Sequence, residues 1–196
     1  MIDQALSLAV DRLNGHLAGR FRTGDDVVVL SPLTDAEGKP ADAARNKLAL
    51  FVTAIAEDTM PRSARGPGLS SIGLARGAQA IHLDIYAMLA AAHDPDKYAE
   101  GLKQLSAALM FFQVQPVMTP QNTPDMPPGL AQLSFEIANL KVEEVGQLWG
   151  NLGGRYVPSV MFKIRSVRVD AGAFAGVAAP IRSAQRPEGR AGRGRE

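Results

Sequence analysis

Residues 80–115 read AIHLDIYAMLAAAHDPDKYAEGLKQLSAALMFFQVQ. The first third alternates, with Ile81, Leu83, Ile85, Ala87 and Leu89 on one side and His82, Asp84, Tyr86 and Met88 on the other. A period of two predicts a strand with one face in a core. Asp94-Pro95 then interrupts the run. An Asp side chain can accept from the free amides of a first helical turn, and Pro in that turn gives up no needed donor. Beyond it, Tyr98, Leu102, Leu105, Leu109 and Phe112 recur at four- and three-residue steps, predicting one stripe of an amphipathic helix. A strand feeding a helix through a short turn is the nucleus of a mixed α and β domain.

Toward the N-terminus, Ile2, Leu6, Ala9, Leu13 and Leu17 predict a helix ending near Gly19. Strands are expected at 26–30 (DVVVL) and 47–58, separated by a polar, turn-rich loop or hairpin tip at 34–43. Residues 60–78 hold Arg62, Arg65 and Arg76 with four Gly and two Pro, and show almost no periodicity. So long a loop in a compact domain is usually functional or disordered. Toward the C-terminus, residues 116–129 carry five Pro, which excludes helix and central strand. Residues 130–140 alternate again, and Val142, Val145, Leu148 or Trp149, and Leu152 mark a short helix stopped by Gly153-Gly154. In the last strand, 156–170, Val160, Phe162 and Ile164 are out of phase with Val167 and Val169, predicting a bulge near Arg165-Ser166. The order α-β-β-β-α-β-α-β predicts an α+β fold, a mixed and mostly antiparallel sheet packed with helices. The expected division is one domain over 1–171 and a flexible Arg/Gly-rich arm over 172–196.

The chain of 196 residues has a net charge of +1 and is 46% hydrophobic, which suits a single ordinary core. Charge is uneven: residues 182–196 contain five Arg and two Glu. That tail has no aromatic residue for base stacking, so nucleic acid is not the expected partner. With no cysteine, disulfides and thiolate sites are excluded. Neither a signal peptide nor an apolar run of about 18 residues is visible, so a cytoplasmic protein without a membrane partner is expected.

Chemistry has little to hold on to. His16, His82 and His93 lack metal-ligand spacing, and no paired catalytic carboxylates, phosphate loop or nucleophile elbow can be read. No catalytic residue, metal or cofactor is therefore expected. The remaining enzymatic alternative is a polar pair of His82 and Asp84 on one strand face, which would also need a substrate pocket.

Three segments together, LDIYAMLAA (83–91), YAEGLKQLSAALMFFQ (98–113) and FEIANLKVEEVGQLWGNLGGRYVPSVMFKIRSVRVD (135–170), resemble the tail terminator, or cap, proteins of contractile injection systems and phage-tail-like particles. The positions that carry the likeness are Phe111-Phe112-Gln113, Asn139-Leu140, Leu148-Trp149 and Tyr156, Pro158 and Ser159, and it runs from Ile2 to Val169. The resemblance implies an α+β subunit of a homohexameric ring that stops tube growth and anchors the sheath at the distal end of the particle. Its implied partners are further copies of itself and the tube and sheath subunits. A baseplate or tube-initiating adaptor of the same particle is the alternative. Arg62, Arg65, Arg76, Arg182 and Arg186 are the candidate partner-contact residues.

Overall fold

The computed structural model describes residues 1–58, 81–153 and 155–169, with side chains through Arg165. In chain order the elements are α1 (Ile2–Phe21), β1 (Val28–Leu30), β2 (Lys47–Glu57), β3 (Ile81–Ala92), α2 (Tyr98–Val114), β4 (Val117–Met118), β5 (Leu133–Ile137), α3 (Val142–Asn151) and β6 (Ser159–Val169). Six strands form one sheet in the order β1-β2-β3-β6-β5-β4. Among the described residues only the β1–β2 pair is parallel. The last strand therefore inserts between β3 and β5, a placement invisible to local pattern.

The central strand is buried on both faces, where the alternation predicted one. Ile85, Ala87, Leu89 and Ala91 join the core beneath α1 and α2. Met88 and Ala90 of the opposite face lie with Phe51, Met161 and Trp149 beneath α3. The β6 bulge is where the phase change placed it: Leu83 pairs Val167 while Ile85 pairs Ile164, leaving the extra residue at Arg165-Ser166. A second irregularity at Thr53 of β2 is pinned by its hydroxyl, which donates to Tyr86 O at 3.1 Å.

Several expectations are corrected. On α2 the buried face is Gly101, Gln104, Leu105, Ala107, Ala108, Phe111 and Phe112, while Tyr98 and Leu102 of the expected stripe are exposed. At Gly101 the helix lies close over the end of β3. A Cβ at Gly101 would sit 2.8 Å from His93 Nδ1 and 3.3 Å from Ala91 Cβ. Asp94 does not cap a helix with its side chain. Its Oδ2 instead accepts from Asn46 Nδ2 at 3.0 Å and Arg45 Nε at 3.3 Å, while Asn46 Oδ1 takes the Asp94 N–H. The turn is thus braced across to the start of β2. Helix α1 passes Gly19 and ends at Arg22 in the left-handed region (φ 50), because Phe21 still packs on the core. The tip at 34–40 is a tight hairpin as expected, with Asp35 Oδ1 accepting from the Glu37 and Lys39 amides.

An asparagine engages the outer edge at each side of the sheet. Leu48 N–H bonds Val27 O and Ser31 N–H bonds Leu50 O, so Val28 aims its own N–H and C=O away from β2. Asn14 of α1 meets both, donating to Val28 O at 2.9 Å and accepting from Val28 N at 2.8 Å. At the other edge, Asn122 donates to Val117 O at 2.9 Å and accepts from Thr119 N at 2.8 Å. The proline-rich segment 116–129 is neither helix nor central strand, as its five Pro require. It is folded onto the body, with Met118 and Thr123 fully buried and Asp125 facing Arg12 of α1 at 3.7 Å. An unpaired edge invites a foreign strand, and these side chains occupy the bonding positions first.

Replacing Asn14 by Ala strands two part-buried backbone groups and should cost about 1–3 kcal/mol, read as a lower urea midpoint at unchanged slope. Gly101→Ala should destabilise by about 1–3 kcal/mol through overpacking. In a His93→Ala background the sign should reverse, since Ala is the better helix residue by about 1 kcal/mol. Burial holds the His93 imidazole below the usual histidine range. The unfolded chain then takes up the proton first, so stability is complete above that range and declines as pH falls through it. The decline should be shallower in His93→Gln.

Candidate assembly interface

Strands β2, β3 and β6 run 11, 12 and 11 residues, against three for β1 and five for β5. β1 pairs β2 only from Leu48 to Leu50, and β5 follows β6 no further than Arg165. Past those points the three long strands continue as a ribbon. Half-exposed Ile55 and Ile81 lie on it, in contrast to the buried middles of the same strands. Pairing of Glu57 with Leu83 and of Ile81 with Val169 brings the ends of all three strands to one place. The segments carrying Arg62, Arg65, Arg76, Arg182 and Arg186 begin there, and those five residues lie outside the described residues.

The root of the ribbon holds the polar residues that the sequence singled out, in a different partnership. Asp84 is buried, and its Oδ2 accepts from Lys163 Nζ on β6 at 2.8 Å. Lys163 also lies 5.6 Å from the centre of the Tyr86 ring. The Asp84 hydrogen bond holds the Lys163 ammonium above the usual lysine range. His82 has no hydrogen bond at Nδ1 among the described residues. Lys163 stands opposite Tyr86 and its long side chain reaches diagonally to Asp84, so Asp84 is taken by β6 and the alternative His82–Asp84 pair is not made. Arg165 Nε and Glu136 Oε2, 3.3 Å apart, continue the ladder toward β5.

A concavity of about 590 Å³ opens where the 33–45 loop meets the β3–α2 turn and the end of α3. Its ionisable groups include Arg45, His93, Asp94 and Arg155. The Asn46 hydrogen bond and then Arg45 hold the Asp94 carboxyl below the usual range. Arg45 and Asp94 thus satisfy one another, and the lining has no nucleophile set against a base. Among the described residues no group of three or more His, Asp and Glu is arranged to hold a metal ion. No helix among them is long and apolar enough to cross a membrane.

The motif residues fall into two roles. Phe112 is buried, with its ring centre 4.7 Å from those of both Phe135 and Phe162. Trp149 is buried on the opposite face, half-buried Leu148 packs beside it, and Tyr156 meets its ring edge-on at 5.6 Å. Pro158 offers its carbonyl to the Ala91 amide at 2.9 Å, fixing the entry of β6 beside β3. Gln113, by contrast, is exposed on α2.

Two apolar surfaces escaped the sequence reading. One is the outer row of α2, with Tyr98, Leu102, Met110 and Val114 exposed. The other is Leu140 with Val142 at the start of α3, while exposed Ile137 at the end of β5 lies on the face of Phe135 and Phe162. The signal was present in α2, whose apolar residues occupy more of its circumference than one buried stripe needs.

Comparison with known proteins agrees with this architecture. The sheath/tube terminator, in the extended state, of the extracellular contractile injection system PVC is similar at a TM-score of 0.53 and 17% identity, over 98% of this chain and 64% of that one. The tube-terminating cap of the anti-feeding prophage is similar at 0.55 and 15% identity, over 96% of this chain and 61% of that one. This chain thus spans a little under two thirds of the length of either protein. No curated protein is matched by sequence. The Pvc16 N-terminal domain family matches residues 3–183, nearly the whole sequence, and the chain therefore belongs to that family.

Proposed function

We propose that this chain is the terminator of a contractile injection particle, a homohexameric ring seated where the inner tube and sheath end. The observation that carries the reading is the family match over residues 3–183, joined to a fold shared with two proteins that end such tubes. A terminator works by occupying the face to which the next tube ring would add. It also holds the sheath at that end, so that contraction is transmitted instead of releasing the sheath. Both tasks need shaped surfaces and no bond-making step, and the chain acts without catalysis.

In this reading residues 1–171 are the ring-forming domain and 172–196 an arm. Arg62, Arg65 and Arg76, with Arg182 and Arg186, contact tube or sheath. What supports this is placement: the segments that bear them start together at the end of the β2–β3–β6 ribbon. Five cations on those segments suit acidic partner surfaces, where charge complementarity speeds encounter and sets register. Assembly takes place in the cytoplasm, and the subunit leaves the cell with the particle.

Deleting the gene should yield particles with tubes of uncontrolled length in electron micrographs, restored to uniform length by the intact gene. An absence of tubes would point instead to an initiating adaptor. Changing Arg62, Arg65 and Arg76 together to Ala should leave the fold intact and lower the fraction of capped particles. Normal numbers of capped, normal-length particles would remove those residues from the contact.

A further inference from the structure

Helix α2 carries more apolar surface than the sheet beneath it uses. Tyr98, Leu102, Ser106, Met110 and Val114 follow one another at steps of four, which is the row that interdigitates when helices pack. Val114 is 86% exposed and Tyr98 51%. Ser106 turns its hydroxyl back to Leu102 O at 2.7 Å, so the middle of the row makes no polar demand on a neighbour. Between this row and the end of α1 runs a shallow groove of about 380 Å³, walled by Phe21, Leu102 and Met110 and edged by Arg20 and Lys103. No carboxylate lines it. Neither cation has an ion-pair partner among the described residues.

Two features define the occupant. A ridge with a four-residue repeat takes a second helix along it, and two free cations at the rim take carboxylates on that helix. Among the described residues this chain has no such helix to offer. The outward side of α1, with Gln4, Ser7, Asp11 and Gly15, exposes no large apolar residue. Helix α3 exposes one, Val142, with Lys141 beside it. A second α2 would set Lys103 against its own copy, a like-charge pairing that is repelled. The acidic hairpin tip, with Asp35 and Glu37, exposes no large apolar side chain either. Outside the described residues, 59–80 contains three Arg and no acidic residue, and 170–196 has five Arg against three acidic residues. Another copy of the chain is therefore a poor match in chemistry.

We propose that the α2 groove is a docking site for an amphipathic helix of a different protein, its apolar side seated on Leu102, Met110 and Val114 and its acidic flank against Arg20 and Lys103. The proposal rests on the terminator reading only for where that protein is found, among the other components of the particle. Apolar contact along the row supplies the adhesion. Both cations stand at the Leu102 end of the row, so they set which end of the incoming helix lies there and turn away basic segments.

The chain has no cysteine, so single ones can be placed without background. Gln113, exposed on α2 three residues beyond Met110, is changed to Cys and coupled to a benzophenone maleimide. Particles assembled with the labelled chain are purified and irradiated, and the adducts are mapped by peptide mass spectrometry. The expected adduct joins residue 113 to one segment of a different component, with apolar residues at three- and four-residue steps and Asp or Glu beside them. Arg20→Glu with Lys103→Glu should lower its yield about tenfold or more at unchanged helical content, whereas Arg20→Lys with Lys103→Arg should preserve it. Without any label, a Met110→Cys thiol should react with maleimide in the free chain and be protected in particles. Adducts to another copy of this chain, adducts to a segment lacking carboxylates, a yield indifferent to the charge reversal, or a Met110→Cys thiol equally reactive in both states would overturn the docking site and leave the terminator reading standing. Absence of the unmodified chain from particles would overturn both.

Discussion

The contact on which the subunit depends is the seat of Phe112 against Phe135 and Phe162. It joins α2 to β5 and β6, the strands on the C-terminal side of the chain, and Phe111 extends it edge-on toward α1 through His16. Buried aromatic clusters of this kind supply large apolar area and a preferred geometry together. Their position also has a kinetic meaning. Because β6 must slot between β3 and β5, the sheet is incomplete until the end of the domain has been reached. Its pairings are long in sequence, which slows folding relative to a chain of local contacts.

Local signals were enough to identify most elements. Alternation marked β3, and the phase slip in β6 announced its bulge because side chains change face when one residue is inserted. What could not be read were choices made between elements. Which side of α2 is buried depends on the near approach of β3, where Gly101 fits and a larger residue would meet His93 and Ala91. Similarly, Asp94 had two acceptable uses, and the bracing pair with Asn46 prevailed because the start of β2 lies opposite it. Proline density in 116–129 correctly excluded a central strand but hid the fact that Met118 reaches the core. The order of the strands depends on pairings far apart in sequence, for which no short window carries a sign.

The candidate site was legible in a different measure. Family resemblance pointed to an assembly role, whereas residue chemistry could say only that catalytic patterns were missing. Counting arginines drew attention to two segments but gave no sign that both start from the ribbon end, which follows from the register of β3 with β6. The expected α2 stripe joined Tyr98 and Leu102 of the outer row to buried Leu105 and Phe112, because period alone cannot say which of two apolar rows meets a sheet. Burial separates them, and what remains uncovered is a surface with work left to do.

The asparagine locks at Val28 and Val117 have a consequence for timing. In the role proposed above, a subunit used only when a tube is finished would first persist as a reservoir while many copies of other components are consumed. Open outer strands would let such a reservoir convert into fibres, and that conversion would compete with its use. With several of the bonding positions filled from within, idle copies offer one another less of a template along those edges. The supply can be made early and drawn on late.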